Sequence, residues 1–170
     1  MKVYMTTGTL DFLSKKKTSH PTETMLLLQR NGEGLLYHEG ADKTLFETPR
    51  NYESIDSVGD PTKGAFVVFN NIPVTDEGRP VFEYRFKKRA GLIEKEPGFA
   101  AIRVLRPLAS DTYIIATFWD KEASFKDWQS SQAYNKAHEK RGTENGVDKE
   151  EPSIFLRPSY VTTYTVVMEE

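Results

Sequence analysis

The run Ala65-Phe-Val-Val-Phe-Asn-Asn-Ile-Pro-Val74 follows Gly64 and is apolar almost throughout. It is too short for a helix and rich in Val and Phe, so it predicts a strand. Residues 77–95 downstream are basic, with Phe82, Phe86 and Ala90 at helical spacing. Residues 99–105 and 112–119 read as two strands joined by a loop holding Pro107 and Ser110-Asp111. Residues 121–141 read as a helix that breaks after Gln129, because Ser130-Ser131 offers a hydroxyl to cap a new helix start. Residues 139–153 are charged, hold Gly142, Gly146 and Pro152, and read as a mobile loop. Residues 160–168 close the chain as a strand. The order βαββαβ predicts an α+β, ferredoxin-like fold with both helices on one face of an antiparallel sheet.

Such a sheet leaves its second face open, and many such modules cover it by pairing sheet to sheet. Residues 1–64 look able to serve instead. Short strand-like pieces fall at 2–7, 25–30, 35–38 and 44–47, and Asn31-Gly32-Glu33-Gly34 is a hairpin signal. A short helix is predicted at 51–58, and Gly59-Asp60-Pro61 with Gly64 marks the boundary. The expectation is a strand-rich half (1–64) acting as a pseudo-partner for a ferredoxin-like domain (65–170), within a monomer.

Composition narrows the function. With 38% apolar and 28% charged residues the 170-residue chain has the make-up of a soluble globular protein. A net charge of -2 gives no pull towards nucleic acid. No apolar run is long enough to span a bilayer and no secretory signal is visible, so a cytoplasmic location is expected. The absence of cysteine excludes disulfides, iron–sulfur clusters and thiolate ligation. No Gly-x-Gly-x-x-Gly, P-loop, His-Glu-x-x-His or Gly-x-Ser-x-Gly occurs, so neither a nicotinamide or flavin site nor a hydrolase triad is expected.

A few side chains stand out, each with a plain structural alternative. His138, one of three histidines, can ligate a heme iron, or can simply favour a helix C-terminus as a surface cation. His20 and His38 sit beside turn-forming residues and read as exposed. Trp128 is a pocket wall or a core residue, and Phe125 one turn earlier suits the core; Trp119, ending a strand, reads as structural. On one unbroken helix Trp128 and His138 would lie about 15 Å apart along the axis and roughly 80° apart around it. The break at Ser130 would let both face one cavity. Asn70 and Asn71 interrupt an apolar strand where Asn is disfavoured. One of the two must face inward and find partners or a ligand, unless both lie wet at a strand end before Pro73. Arg85 and Arg89, at i and i+4, share a helix face and suit carboxylates, or belong to a solvated basic helix.

Taken together, Phe69-Asn-Asn-Ile-Pro-Val, Tyr84-Arg-Phe-Lys-Lys-Arg89, Glu96-Pro-Gly-Phe99 and Phe125-Lys-Asp-Trp128 with His138 ten positions on resemble the bacterial heme-degrading monooxygenases. These belong to the antibiotic-biosynthesis-monooxygenase superfamily of dimeric α+β barrels. The resemblance covers roughly residues 65–168, and the N-terminal extension resembles the longer, single-chain Hmo-type members. It implies an enzyme for which heme is both substrate and cofactor, with O2 as co-substrate, an external reductant, and a bilin-like product with iron released. It places the proximal iron ligand on His138, the distal asparagine on Asn70 and the distal tryptophan on Trp128. Arg85 and Arg89 match basic positions of the first helix and are expected to meet the heme propionates.

Two other readings stay open. One is a heme carrier that uses the same residues without turnover. The other is a regulatory protein, since the full chain also resembles the staphylococcal signal-transduction protein called target of RNAIII-activating protein.

Overall fold

The computed structural model describes residues 1–87, 93–131 and 153–168. In chain order the elements are β1 (Lys2–Gly8), α1 (Leu10–Thr18), β2 (Thr24–Arg30), β3 (Glu33–Glu39), β4 (Arg50–Gly59), β5 (Phe66–Pro73), α2 (Arg79–Lys87), β6 (Phe99–Pro107), β7 (Thr112–Trp119), α3 (Glu122–Gln129) and β8 (Tyr160–Val166). The strands close into one barrel in the order β1-β3-β2-β8-β5-β7-β6-β4, and β4 pairs back onto β1. Within residues 1–64 that order is β4-β1-β3-β2, and within 65–168 it is β8-β5-β7-β6. Each half is therefore a ferredoxin-like sheet of order 4-1-3-2. The two sheets meet edge to edge at β2·β8 and β4·β6, which leaves no open edge.

Period-two alternation sends one residue in two into the barrel. Val3 and Met5 of β1, Leu35 and Tyr37 of β3, Val67 and Phe69 of β5, and Ala116 and Phe118 of β7 form one buried cluster with residues of the other strands. On the outer face, helices cover some of the alternate residues. Leu13 of α1 packs on Leu27 and Leu36, and Phe125 of α3 packs on Phe66 and Trp119. The Asn31-Gly32 turn has positive φ at both residues (53° and 81°), as a two-residue hairpin needs, and so fixes the β2·β3 register.

Three local expectations are corrected, and one helix is new. Residues 51–58 form part of strand β4, not a helix. Tyr52, Ile55 and Val58 recur every third residue as on a helix, but a bulge between Ser54 and Asp56 produces that spacing within a strand. Residues 44–47 are irregular, and Phe46 is buried over the outer face of β3. The expected 77–95 helix begins at Arg79, and residues 93–98 are turns. Helix α1 has no counterpart in the sequence reading, since Leu13 is its only buried residue; Thr9 caps it by accepting from Phe12 N at 3.2 Å.

His38 is corrected too: it is fully buried at 0% exposure. It lies on the outer face of β3 between the rings of Tyr4 and Phe46, each 5.9 Å away. Glu23 Oε1 lies 3.4 Å from Nε2, within ion-pair range, yet neither ring nitrogen has hydrogen-bond geometry to a partner. Burial pulls the imidazole pKa below its ordinary 6.5, with His20 adding to the shift and Glu23 opposing it. Above about pH 6.5 the ring is neutral folded and unfolded, and it contributes no pH dependence. As pH falls below that value the unfolded chain takes up the proton first, so stability is lost on acidification. His38→Gln should flatten the fall in urea midpoint between about pH 7 and 5. An unchanged slope would assign that fall to other groups.

Candidate functional site

Alternation in β5 separates the two asparagines. Asn71 shares its side with Val67 and Phe69 and points into the barrel, 6% exposed. Its Nδ2 donates to Phe69 O (3.2 Å), Tyr160 O (3.1 Å) and Thr162 Oγ1 (3.2 Å), so its amide is committed to joining β5 to β8. Asn70 points the other way, with Phe66, Val68 and Ile72, onto the face that the helices cover. It is half-buried, and among the described residues its side chain makes no hydrogen bond.

The surroundings of Asn70 follow from register. Ile115 of β7 stands opposite on one side and Val161 of β8 on the other. Towards one end Ile72, Tyr113 and Phe82 of α2 form a buried cluster. Towards the other end Phe66, Val68, Trp119 and Phe125 form a second cluster, onto which Trp128 packs. Asn70 thus lies between the two clusters, an amide on an apolar strip that includes the 55%-exposed Val161.

Helix α3 brings Trp128 to the same face. The helix starts beside Asp120, which accepts from Ser124 Oγ at 2.6 Å, and Gly98 (φ +84°) admits the close approach of both side chains. It ends where the sequence reading placed its break: Ser130 N bonds Lys126 O and Ser131 N bonds Trp128 O. The half-buried Trp128 ring packs at 5.7 Å from Trp119 and 6.2 Å from Phe125.

Helix α2 is anchored by a polar group that the sequence reading missed. Glu83 accepts from Arg106 Nε (2.9 Å) and Nη2 (2.6 Å) and from the Tyr113 hydroxyl. Arg79 Nη2 reaches Pro107 O and Ser110 O, both at 2.9 Å. The Arg106 fork holds the Glu83 carboxyl below the usual range, while burial, with Glu83 beside it, pushes the Tyr113 phenol up. Three partners distant in sequence make this group, so no spacing announces it. The anchored helix presents a half-buried Arg85 one turn beyond Phe82.

The structure therefore brings Asn70 and Trp128 to one face, with Arg85 on the neighbouring helix. Arg89, His138, the second helix expected with His138 and nearly all of the expected 139–153 loop lie outside the described residues. Among the described residues no helix is long and apolar enough to cross a membrane.

Residues 65–140 match the family model for antibiotic biosynthesis monooxygenase. The match lies within the 65–168 half, and that segment is similar to members of this family. It is similar over 162 residues, at 28% identity, to a heme-degrading monooxygenase of Listeria monocytogenes; the match covers 94% of this chain and 96% of the relative. Over the same length it is 24% identical to the signal transduction protein TRAP of Staphylococcus epidermidis, covering 94% and 97%. Among solved structures, a major regulator of staphylococcal pathogenesis superposes with a TM-score of 0.82 at 21% identity, covering 99% of this chain and all of that one. That likeness carries the fold alone.

Proposed function

We propose that this protein is a heme-degrading monooxygenase and that heme lies on the outer face of residues 65–170. The carrying observation is Asn70: an amide without a hydrogen bond among the described residues, flanked by Val68, Ile72, Ile115 and Val161, on the same face as Trp128. A flat, largely apolar macrocycle suits that strip, and one amide donor in it suits a polar ligand held at the centre of such a ring. The Listeria relative's activity supports the reading.

Heme would supply the redox iron and be the molecule consumed; O2 and an external reductant complete the reaction, and a bilin-like product and iron leave. His138 is proposed as the axial ligand. Asn70 would offer its N–H to a ligand of the iron, and Trp128 would pack against the ring as a lever on its shape. Arg85 and Arg89 pair with the propionates. Residues 1–64 act as a built-in partner half, so the chain works as a monomer, and a cytoplasmic location is proposed.

Hemin titration followed by ascorbate in air tests this. The expected result is a shifted Soret band on a complex that elutes at the mass of one chain, then loss of that band and appearance of an open tetrapyrrole by mass spectrometry. His138→Ala should lose the axial ligand and most turnover. A Soret band that persists under ascorbate favours a carrier. Failure to shift the hemin spectrum at micromolar protein favours a regulatory role like that named for the TRAP relative.

A further inference from the structure

Trp128 sits in the last turn of an eight-residue helix, and backbone alone fixes its ring weakly. What lies behind it is better defined. Trp119 is fully buried and stacks beneath Trp128 at 5.7 Å with the planes 31° apart. Phe125 closes one side of Trp119 at 5.8 Å, and Phe99 meets it edge-on at 6.1 Å. Trp119 Nε1 donates to Thr117 Oγ1 at 2.9 Å, two residues back on the same face of β7. That bond selects one ring orientation, since a flipped indole would bury its N–H without the partner. Thr117 stands directly across from Val68, on the ladder that carries Asn70. The tilt of one tryptophan is thereby tied to the strand that presents the amide.

We infer that Trp119, locked by Thr117, is a positioning residue that sets the tilt of the Trp128 ring and, through it, how the macrocycle is distorted. The second part rests on the heme reading; the first does not. Trp119 touches no reacting atom, so its effect should fall on the conformation of the bound ring and on where that ring opens, with little change in affinity.

The test uses the full chain labelled with 5-fluorotryptophan. The chain has only two tryptophans, so a Trp128→Phe spectrum assigns both resonances. Thr117→Val and Trp119→Phe are compared with Thr117→Ser, which keeps the hydroxyl. Without heme, Thr117→Val should shift or broaden the Trp128 resonance, Trp119→Phe should do so more, and Thr117→Ser should restore the wild-type line. With hemin, the first two variants should keep affinity within about threefold, move the ring-distortion lines in resonance Raman and change the ratio of ring-opened isomers; Thr117→Ser should reverse both changes. Lower melting temperatures with an unmoved Trp128 line and an unchanged isomer ratio would mean that the pair is packing only, and would overturn the inference while leaving the heme reading intact. If wild-type protein fails to bind hemin, the heme reading fails by itself, and the fluorine spectra still decide whether Trp119 orients Trp128.

Discussion

Asn70→Ala should bind hemin nearly as well as wild type and lose turnover by about 10²-fold, the usual loss when one preorganised hydrogen-bond donor is removed from a reacting centre. The substitution removes an amide that supports no other described part of the fold, so the melting temperature should hold. Asn71→Ala should do the reverse. It removes the amide whose N–H groups are shared among Phe69 O, Tyr160 O and Thr162 Oγ1. That should cost about 1–3 kcal/mol of stability, with turnover per folded molecule kept. The measurements are single-turnover decay of the Soret band and urea midpoints for both variants. Normal turnover in Asn70→Ala would end its assignment as the distal donor, and a dead but stable Asn71→Ala would move that role to its neighbour.

The contrast between these residues also marks what sequence could deliver. A strand through 66–73 forces the two amides apart, so sequence alone requires that one point inward. Which one does depends on the phase of the barrel, and that is set by partners such as Tyr164 and Phe118 far along the chain. The βαββαβ order of residues 65–168 was legible because its strands are short apolar runs bounded by Gly, Pro or Ser-Asp signals. In β4 a bulge turned a strand's pattern into a helix's, and α1 buries too little to show an apolar stripe. His38 was misjudged for a related reason. Its strand is covered on both faces, by the barrel interior and by α1 with Phe46, and cover of that kind comes from other segments. Trp128 was legible as a candidate, but Thr117 and Trp119 behind it were not, because their value lies in an interatomic contact that no spacing rule encodes.

Glu39→Ala should have the largest effect on stability, about 3–5 kcal/mol, because it leaves a buried guanidinium without its counter-charge. Arg103 of β6 points into the barrel at 5% exposure. Its Nε and Nη2 each meet a Glu39 oxygen of β3 at 3.2 Å, and Tyr37 donates to the same carboxylate at 2.6 Å. Three carbonyls take its remaining N–H groups: Val58 (2.9 Å), Gly59 (3.0 Å) and Ile102 (3.0 Å). One side chain from the 65–170 half thus bonds β3 and β4 of the 1–64 half. Burial and the adjacent carboxylate push the Tyr37 phenol well above its ordinary range, so it stays a donor to Glu39 throughout the neutral range. Glu39→Gln, which keeps acceptor and shape but drops the charge, should cost less than Glu39→Ala. The pair Glu39→Leu with Arg103→Met, which removes both charges, should recover much of the loss. Urea melts of the four proteins decide it. If Glu39→Ala melts within about 0.5 kcal/mol of wild type, the pair is not holding the halves together, and the two edge joints β2·β8 and β4·β6 must close the barrel by backbone pairing and apolar packing alone.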